Sequence, residues 1–195
     1  MARDRSSRPE ARPLRLFVAV DVPEPMRVAV RDAVEPLRER FPKARWVPTP
    51  NQHVTLKFLG PTWPRLVEWV TETVGEVAAT HEPFETHVGS LSAFPSERRA
   101  RVLWAALDDP AGRFGALAAS LEEALAREIP REKRAFTPHL TVARFEPPVD
   151  IGELLEDAGV GSDRFPVDRL VLYESRLRRP APIYDVLATF ALGTA

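Results

Sequence analysis

The chain has 195 residues, 27 of them Lys or Arg and 28 Asp or Glu, for a formal net charge of −1. At 44% hydrophobic and 8% aromatic it can build a core, which excludes disordered and fibrous classes. It has no cysteine, so disulfides, thiol nucleophiles and Cys-ligated zinc or iron–sulfur centres are excluded as well.

Lysine occurs only at positions 43, 57 and 133; every other basic residue is arginine, which grips phosphate and carboxylate in bidentate geometry. A GC-rich coding bias accounts for most of that excess, and also for the 20 prolines, about twice the usual share.

Residues 1–13, MARDRSSRPEARP, lack the apolar stretch of a secretory signal and read as a flexible polar tail. No run approaches the ~18 apolar residues of a membrane span, so a cytoplasmic protein is expected. Residues 14–195 read as a single domain. Apolar runs predict strands over 15–22, 52–60, 84–94, 101–107, 139–145, 164–175 and 183–192. Between them, the 3.6-residue period predicts helices over 25–40, 64–79, 112–128 and 151–158. Strands alternating with helices give an α/β or α+β layering.

A shift of 86 residues aligns the two halves, roughly 14–99 and 100–185. Arg15-Leu-Phe-Val-Ala falls on Arg101-Val-Leu-Trp-Ala, and His53-Val-Thr55-Leu falls on His139-Leu-Thr141-Val. This is the mark of an internal duplication. With four histidines and 11 threonines, a His-x-Thr triplet is expected about 0.2 times by chance. It occurs twice, each time opening an apolar strand.

Residues two apart on a strand share a face, so His53 points with Thr55 and His139 with Thr141. Val54, Leu56, Leu140 and Val142 then face the core. A pseudo-twofold axis would bring both motifs to one cleft. Two imidazoles titrating near ~6.5 can divide acid and base work at neutral pH, while the hydroxyls donate to non-bridging phosphoryl oxygens. That set suits in-line attack at phosphorus. A metal site would need a third ligand, and no spacing such as H-E-x-x-H supplies one.

The segments QHVTLKFLG and TPHLTVARF, with RLFVAVDVP, RWVPTPNQHVTLKFLG, LSAFPS, RVLWAAL and VDRLVLYESRL around them, resemble the two-histidine (2H) phosphoesterase superfamily. Within it they are most similar to the RNA 2′,3′-cyclic phosphodiesterase or 2′-5′ RNA ligase family (LigT/ThpR type). The resemblance implies an α+β fold built as a bilobal internal duplication: two antiparallel sheets facing a central cleft, with helices outside. It also implies metal-independent hydrolysis of RNA or nucleotide 2′,3′-cyclic phosphate ends to 2′-phosphate, with possible reversible 2′-5′ RNA ligation and no cofactor. His53 would be the proton donor and His139 the proton acceptor. The implied partner is an RNA or oligonucleotide carrying that terminus, bound by a monomer without an obligatory protein partner. An RNA-end or nucleotide-binding module with little turnover is the rival from another class. Action on a different cyclic phosphate or on a 2′-5′ oligonucleotide is the rival within the superfamily.

Further expectations attach to single residues. Arg144 lies where the resembling family carries a phosphate-binding arginine, yet strand parity points it away from His139 unless a bulge re-aims it. Lys57 shares the parity of His53 and is expected near the phosphate or the RNA backbone. Trp46, Phe17 and Tyr173 are expected to stack a base, whereas Phe58 has core parity. Three basic clusters, Arg98/Arg99/Arg101, Arg131/Lys133/Arg134 and Arg176/Arg178/Arg179, are expected on loops as a rim for phosphates. His81 and His87 lack the threonine partner and read as structural.

Overall fold

The computed structural model describes residues 12–155 and 158–193. The polar-tail reading of 1–13 therefore falls almost entirely outside the described residues, as do positions 156–157 of the helix expected over 151–158. Among the described residues no helix is long and apolar enough to cross a membrane.

Strand β1 (Leu14–Asp21) leads into α1 (Glu24–Ala33). That helix opens with a proline in its first turn and carries Glu24 at its start and Arg31 at its end, matching the helix dipole. The helix expected over 25–40 breaks at Val34, because Pro36 has no N–H to donate and disfavours helical backbone before it. A short α2 (Glu35–Arg40) follows, then β2 (Arg45–Trp46), a 3₁₀ turn (Thr49–Asn51), β3 (His53–Thr62) and α3 (Pro64–Ala79).

The run expected as one strand over 84–94 is divided at His87 into β4 (Phe84–Thr86) and β5 (Val88–Phe94). Next come β6 (Ala100–Leu107), α4 (Arg113–Ala124), β7 (His139–Val149) and α5 (Gly152–Leu155). Asp109, in the turn before α4, satisfies the helix's first free donors, its carboxylate accepting from the backbone N–H of Arg113 at 2.6 Å and Phe114 at 3.0 Å. The run expected as one strand over 164–175 is divided at Asp168 into β8 (Phe165–Val167) and β9 (Arg169–Arg176), and the last expected strand is β10 (Ile183–Ala191).

The fold is α+β and antiparallel. Eight strands form one sheet in the order β10-β9-β1-β3-β7-β6-β5, with β2 added beside β7, and β4 pairs β8 in a second small sheet. Strand pairing interleaves the chain: β9, from the end, pairs β1, while β5 pairs β6. One arm thus draws on residues 14–62 and 169–191, the other on 88–149. The core fills with Leu16, Val18, Val54, Leu103, Leu140 and Leu172, all fully buried, beneath Val70 and Val74 of α3 and Phe114, Leu117 and Leu121 of α4.

Apart from β2, which crosses over to pair β7, the two arms meet between β3 and β7 through a single registered pair, Val54 opposite Leu140. These two positions are themselves 86 residues apart. A pair that maps onto itself under the repeat marks the pseudo-twofold axis, and it lies one residue from each histidine.

Candidate active site

His53 and His139 each begin a strand, and each ring is held by the same backbone device. His53 Nδ1 lies 2.8 Å from the Asn51 carbonyl, and His139 Nδ1 lies 2.7 Å from the Thr137 carbonyl. A carbonyl only accepts, so both Nδ1 atoms carry the proton and donate it. In each ring Nε2 is left as the nitrogen that can gain or lose a proton. His53 Nε2 sits 3.1 Å from Thr55 Oγ1 on the same face of β3.

A few residues farther on, both strands change parity. Val18 pairs Lys57 and Ala19 pairs Thr55, which leaves Leu56 as an extra residue in β3. Leu103 pairs Ala143 and Trp104 pairs Thr141, which leaves Val142 as an extra residue in β7. A β-bulge inserted at equivalent places, 86 residues apart, turns the following side chains over. Val54 and Leu56, Leu140 and Val142 are buried as their parity requires. Beyond the bulge Lys57 and Ala143 also turn inward, while Phe58 and Arg144 turn out to the cleft.

The resulting cleft has a volume of about 620 Å³ and gathers His53, Thr55, His139 and Thr141 in one place. Arg15, Arg45 and Arg144 also line it, and among the described residues its lining includes no carboxylate. Arg45 and Arg144 stand opposite each other in the β2–β7 register. Guanidiniums with no carboxylate partner among the described residues, around a cleft with neutral walls, suit it to receive anions.

These features can be set beside known proteins. The model of the 2′-5′ RNA ligase superfamily matches residues 24–179. The chain belongs to that superfamily. An RNA 2′,3′-cyclic phosphodiesterase of Methanothermobacter thermautotrophicus is 32% identical over 186 residues, spanning 92% of this chain and 99% of that protein. One from Thermus thermophilus is 33% identical over 193 residues, spanning 92% and 90%. The crystal structure of TT0787 of Thermus thermophilus superposes with a TM-score of 0.75 at 29% identity, covering 93% of this chain and all of that one. Membership of the 2′-5′ RNA ligase superfamily agrees with the resemblance read from the two His-x-Thr segments.

Within this superfamily member the two histidines differ in their surroundings. Phe17 stacks face-on against His53, with centroids 4.8 Å apart, and Tyr184 meets it edge-on at 5.2 Å. Burial among these rings pulls the His53 pKa below 6.5, and His139 adds a smaller push in the same direction. The bond to Asn51 and the nearby carboxylate of Asp21 oppose the shift without cancelling it. His139 instead meets two ring edges, Phe94 at 5.4 Å and Trp104 at 5.9 Å.

Arg144 and Trp46 line the cleft, but four other expectations need correction. Lys57 is 3% exposed and faces away from the cleft, because the bulge at Leu56 reverses its parity. Its Nζ donates to Glu122 Oε1 at 2.7 Å and to the Pro130 carbonyl at 2.8 Å. Phe58, expected in the core, is instead 45% exposed in the cleft, with the Arg15 guanidinium 4.5 Å from its ring centroid. Phe17 lines the cleft but is 3% exposed, packed among His53, Tyr173 and Tyr184, so its burial leaves no open face for a base. Tyr173 lies beside both Phe17 and His53, outside the cleft lining, and donates its hydroxyl to Asp21 at 2.7 Å. Burial and that carboxylate push its phenol pKa far up, so it stays neutral.

None of the nine rim cations lines the cleft. Arg131 is paired with Glu123, and Arg176 is held by both oxygens of Asp185. His81 bonds Ser120 at 2.9 Å and His87 lies 3.4 Å from Asp108, both away from the site. Sequence reasoning missed Arg15, Arg45, Asn51 and Tyr184. No motif marks them. Arg15 alone had a signal, its match to Arg101 under the 86-residue shift.

Proposed function

We propose that this enzyme hydrolyses the 2′,3′-cyclic phosphate at an RNA or nucleotide end, leaving a 2′-phosphate, with His53 as proton donor and His139 as proton acceptor. The reading rests on one observation above all. Two imidazoles with their Nδ1 protons pinned face a single cationic cleft, each beside a threonine hydroxyl. The names of the relatives from Methanothermobacter and Thermus point to the same reaction.

In this account His139 Nε2 takes a proton from a water molecule as its oxygen bonds to phosphorus. The bond from phosphorus to O3′ breaks in line, and His53 Nε2–H supplies the proton that O3′ needs. Thr55 and Thr141 donate to the non-bridging oxygens as charge builds on them. Arg144 holds the anion from the far side of the bulge. With a 5′-hydroxyl RNA end in place of water, the same steps form a 2′-5′ bond, and their reverse cleaves it.

The lowered pKa of His53 fits this assignment once substrate is bound. In the free enzyme His53 is mostly neutral at pH 7. The anionic phosphodiester seated against it favours the charged ring. An imidazolium of low intrinsic pKa is in turn a strong acid toward the departing alkoxide.

The test is an oligonucleotide ending in a 2′,3′-cyclic phosphate, incubated with the protein in excess EDTA and followed by phosphorus NMR. A 2′-phosphate product is expected. A 3′-phosphate product, strict dependence on added metal, or binding without turnover contradicts the proposal.

A further inference from the structure

One wall of the cleft is a loop without sheet support. Strand β9 ends at Arg176 and β10 begins at Ile183, and between them Leu177, Pro180, Ala181 and Pro182 line the cleft. The end of this loop is held by a residue 131 positions away, Asn51, whose Nδ2 donates to the Pro182 carbonyl at 2.7 Å. The backbone carbonyl of Asn51 is also the acceptor for His53 Nδ1. The 3₁₀ turn carrying Asn51 is braced in turn, because Arg27 Nη1 lies 3.4 Å from the Pro50 carbonyl. A single residue thus joins a reactive imidazole to a wall of its own cleft. Tyr184, two residues beyond the joint, supplies the ring edge that packs on His53.

The other half lacks this connection. Position 137, the counterpart of Asn51 under the 86-residue shift, is threonine. Its carbonyl accepts His139 Nδ1, but among the described residues its side chain makes no bond across the cleft.

We infer that Asn51 is a positioning residue: its side-chain bond to Pro182 latches the 177–182 wall against the cleft and thereby fixes the His53 ring for proton transfer. This inference rests on the phosphodiesterase reading. With the latch removed, the wall and Tyr184 are free to draw back and water reaches His53. The ring then loses orientation, and proton transfer is sensitive to misplacement of about 1 Å, which can cost on the order of a hundredfold.

The titration of His53 moves as well. The titratable and charged groups around it are Asp21 across the β1–β3 register, Tyr173, Tyr184, His139 across the cleft, and Arg15 and Arg144 beside Tyr184. Asn51→Ala alters none of their charges. Any upward shift of His53 toward its ordinary pKa therefore reports entry of water.

The experiment compares wild type, Asn51→Ala, Asn51→Asp and Thr137→Ala on the same cyclic-phosphate oligonucleotide. Aspartate keeps the shape of asparagine and removes the donor. For both Asn51 variants kcat is expected to fall roughly ten- to a hundredfold at each protein's own pH optimum, with a smaller change in KM. The loss in Asn51→Ala should exceed that in Thr137→Ala at least fivefold. In proton NMR the His53 midpoint of Asn51→Ala should rise relative to wild type. Wild-type kcat in Asn51→Ala, an equal loss in Thr137→Ala, or an unmoved His53 midpoint would overturn the inference. If wild type itself fails to turn over the oligonucleotide, the phosphodiesterase reading falls, and the NMR titration still decides whether the latch keeps water from His53.

Discussion

His53 and His139 share a backbone setting and differ in nearly everything that touches their rings. Each opens a strand, donates Nδ1–H to the carbonyl two residues earlier, and precedes a threonine by two and a bulge by three. Yet His53 is stacked on Phe17 and closed in by Tyr184, whereas His139 meets only the edges of Phe94 and Trp104. The duplicated backbone fixes tautomer and direction, properties both halves need alike. The unduplicated side chains set hydration, the property in which an acid and a base must differ. A symmetric scaffold can therefore run an asymmetric reaction once one half buries its imidazole more deeply in aromatic rings.

Breaking each half in turn gives the largest expected effects. His53→Ala and His139→Ala should each lower kcat/KM by roughly 10²–10⁴ while circular dichroism shows both still folded. Full activity in either would mean that the halves do not share the chemistry. A smaller effect should separate the two residues that the duplicate bulges turn outward. Arg144→Ala and Phe58→Ala are both expected to raise KM, each by roughly tenfold, the first through a lost charge-assisted contact and the second through loss of the exposed ring that carries the Arg15 guanidinium. Only Arg144→Ala should flatten the dependence of KM on salt, because only it removes a phosphate-facing cation. Equal salt slopes in the two variants would erase that distinction.

The smallest effect on activity is expected next door. Lys57→Met should leave kcat/KM near wild type, since Lys57 faces the helices. Removing a buried cation that holds Glu122 and the Pro130 carbonyl should still cost roughly 1–3 kcal/mol, read as a thermal midpoint several degrees lower. A strong loss of activity without loss of stability would return Lys57 to the site.

Much of this was legible in the sequence because it recurs. The 86-residue shift carried the paired His-x-Thr motifs, and period-2 parity placed Val54, Leu56, Leu140 and Val142 in the core. Parity then failed at the next residue. A bulge is a backbone irregularity with no residue type of its own, so Lys57 and Phe58 exchanged faces without any mark in the letters. The repeat held the missing clue, since a phosphate-facing Arg144 requires its counterpart Phe58 to turn outward too. Helix and strand breaks at Val34, His87 and Asp168 were likewise local. The first followed from Pro36, whereas the other two divide apolar runs that look continuous. Asn51 and Tyr184 depend on contacts between distant segments, and no single-segment pattern carries those.

The division of labour between the halves is tested most directly by pH–rate profiles of kcat/KM for wild type and the two histidine variants. A donor must be protonated and gives a falling alkaline limb; an acceptor must be neutral and gives a rising acidic limb. Wild type should therefore be bell-shaped. His53→Ala, lacking the donor, should keep only the acidic limb. His139→Ala should keep only the alkaline limb, centred below 6.5 because burial holds the His53 pKa down. A wild-type profile flat between about pH 5 and 8, or the loss of the same limb in both variants, would contradict the account.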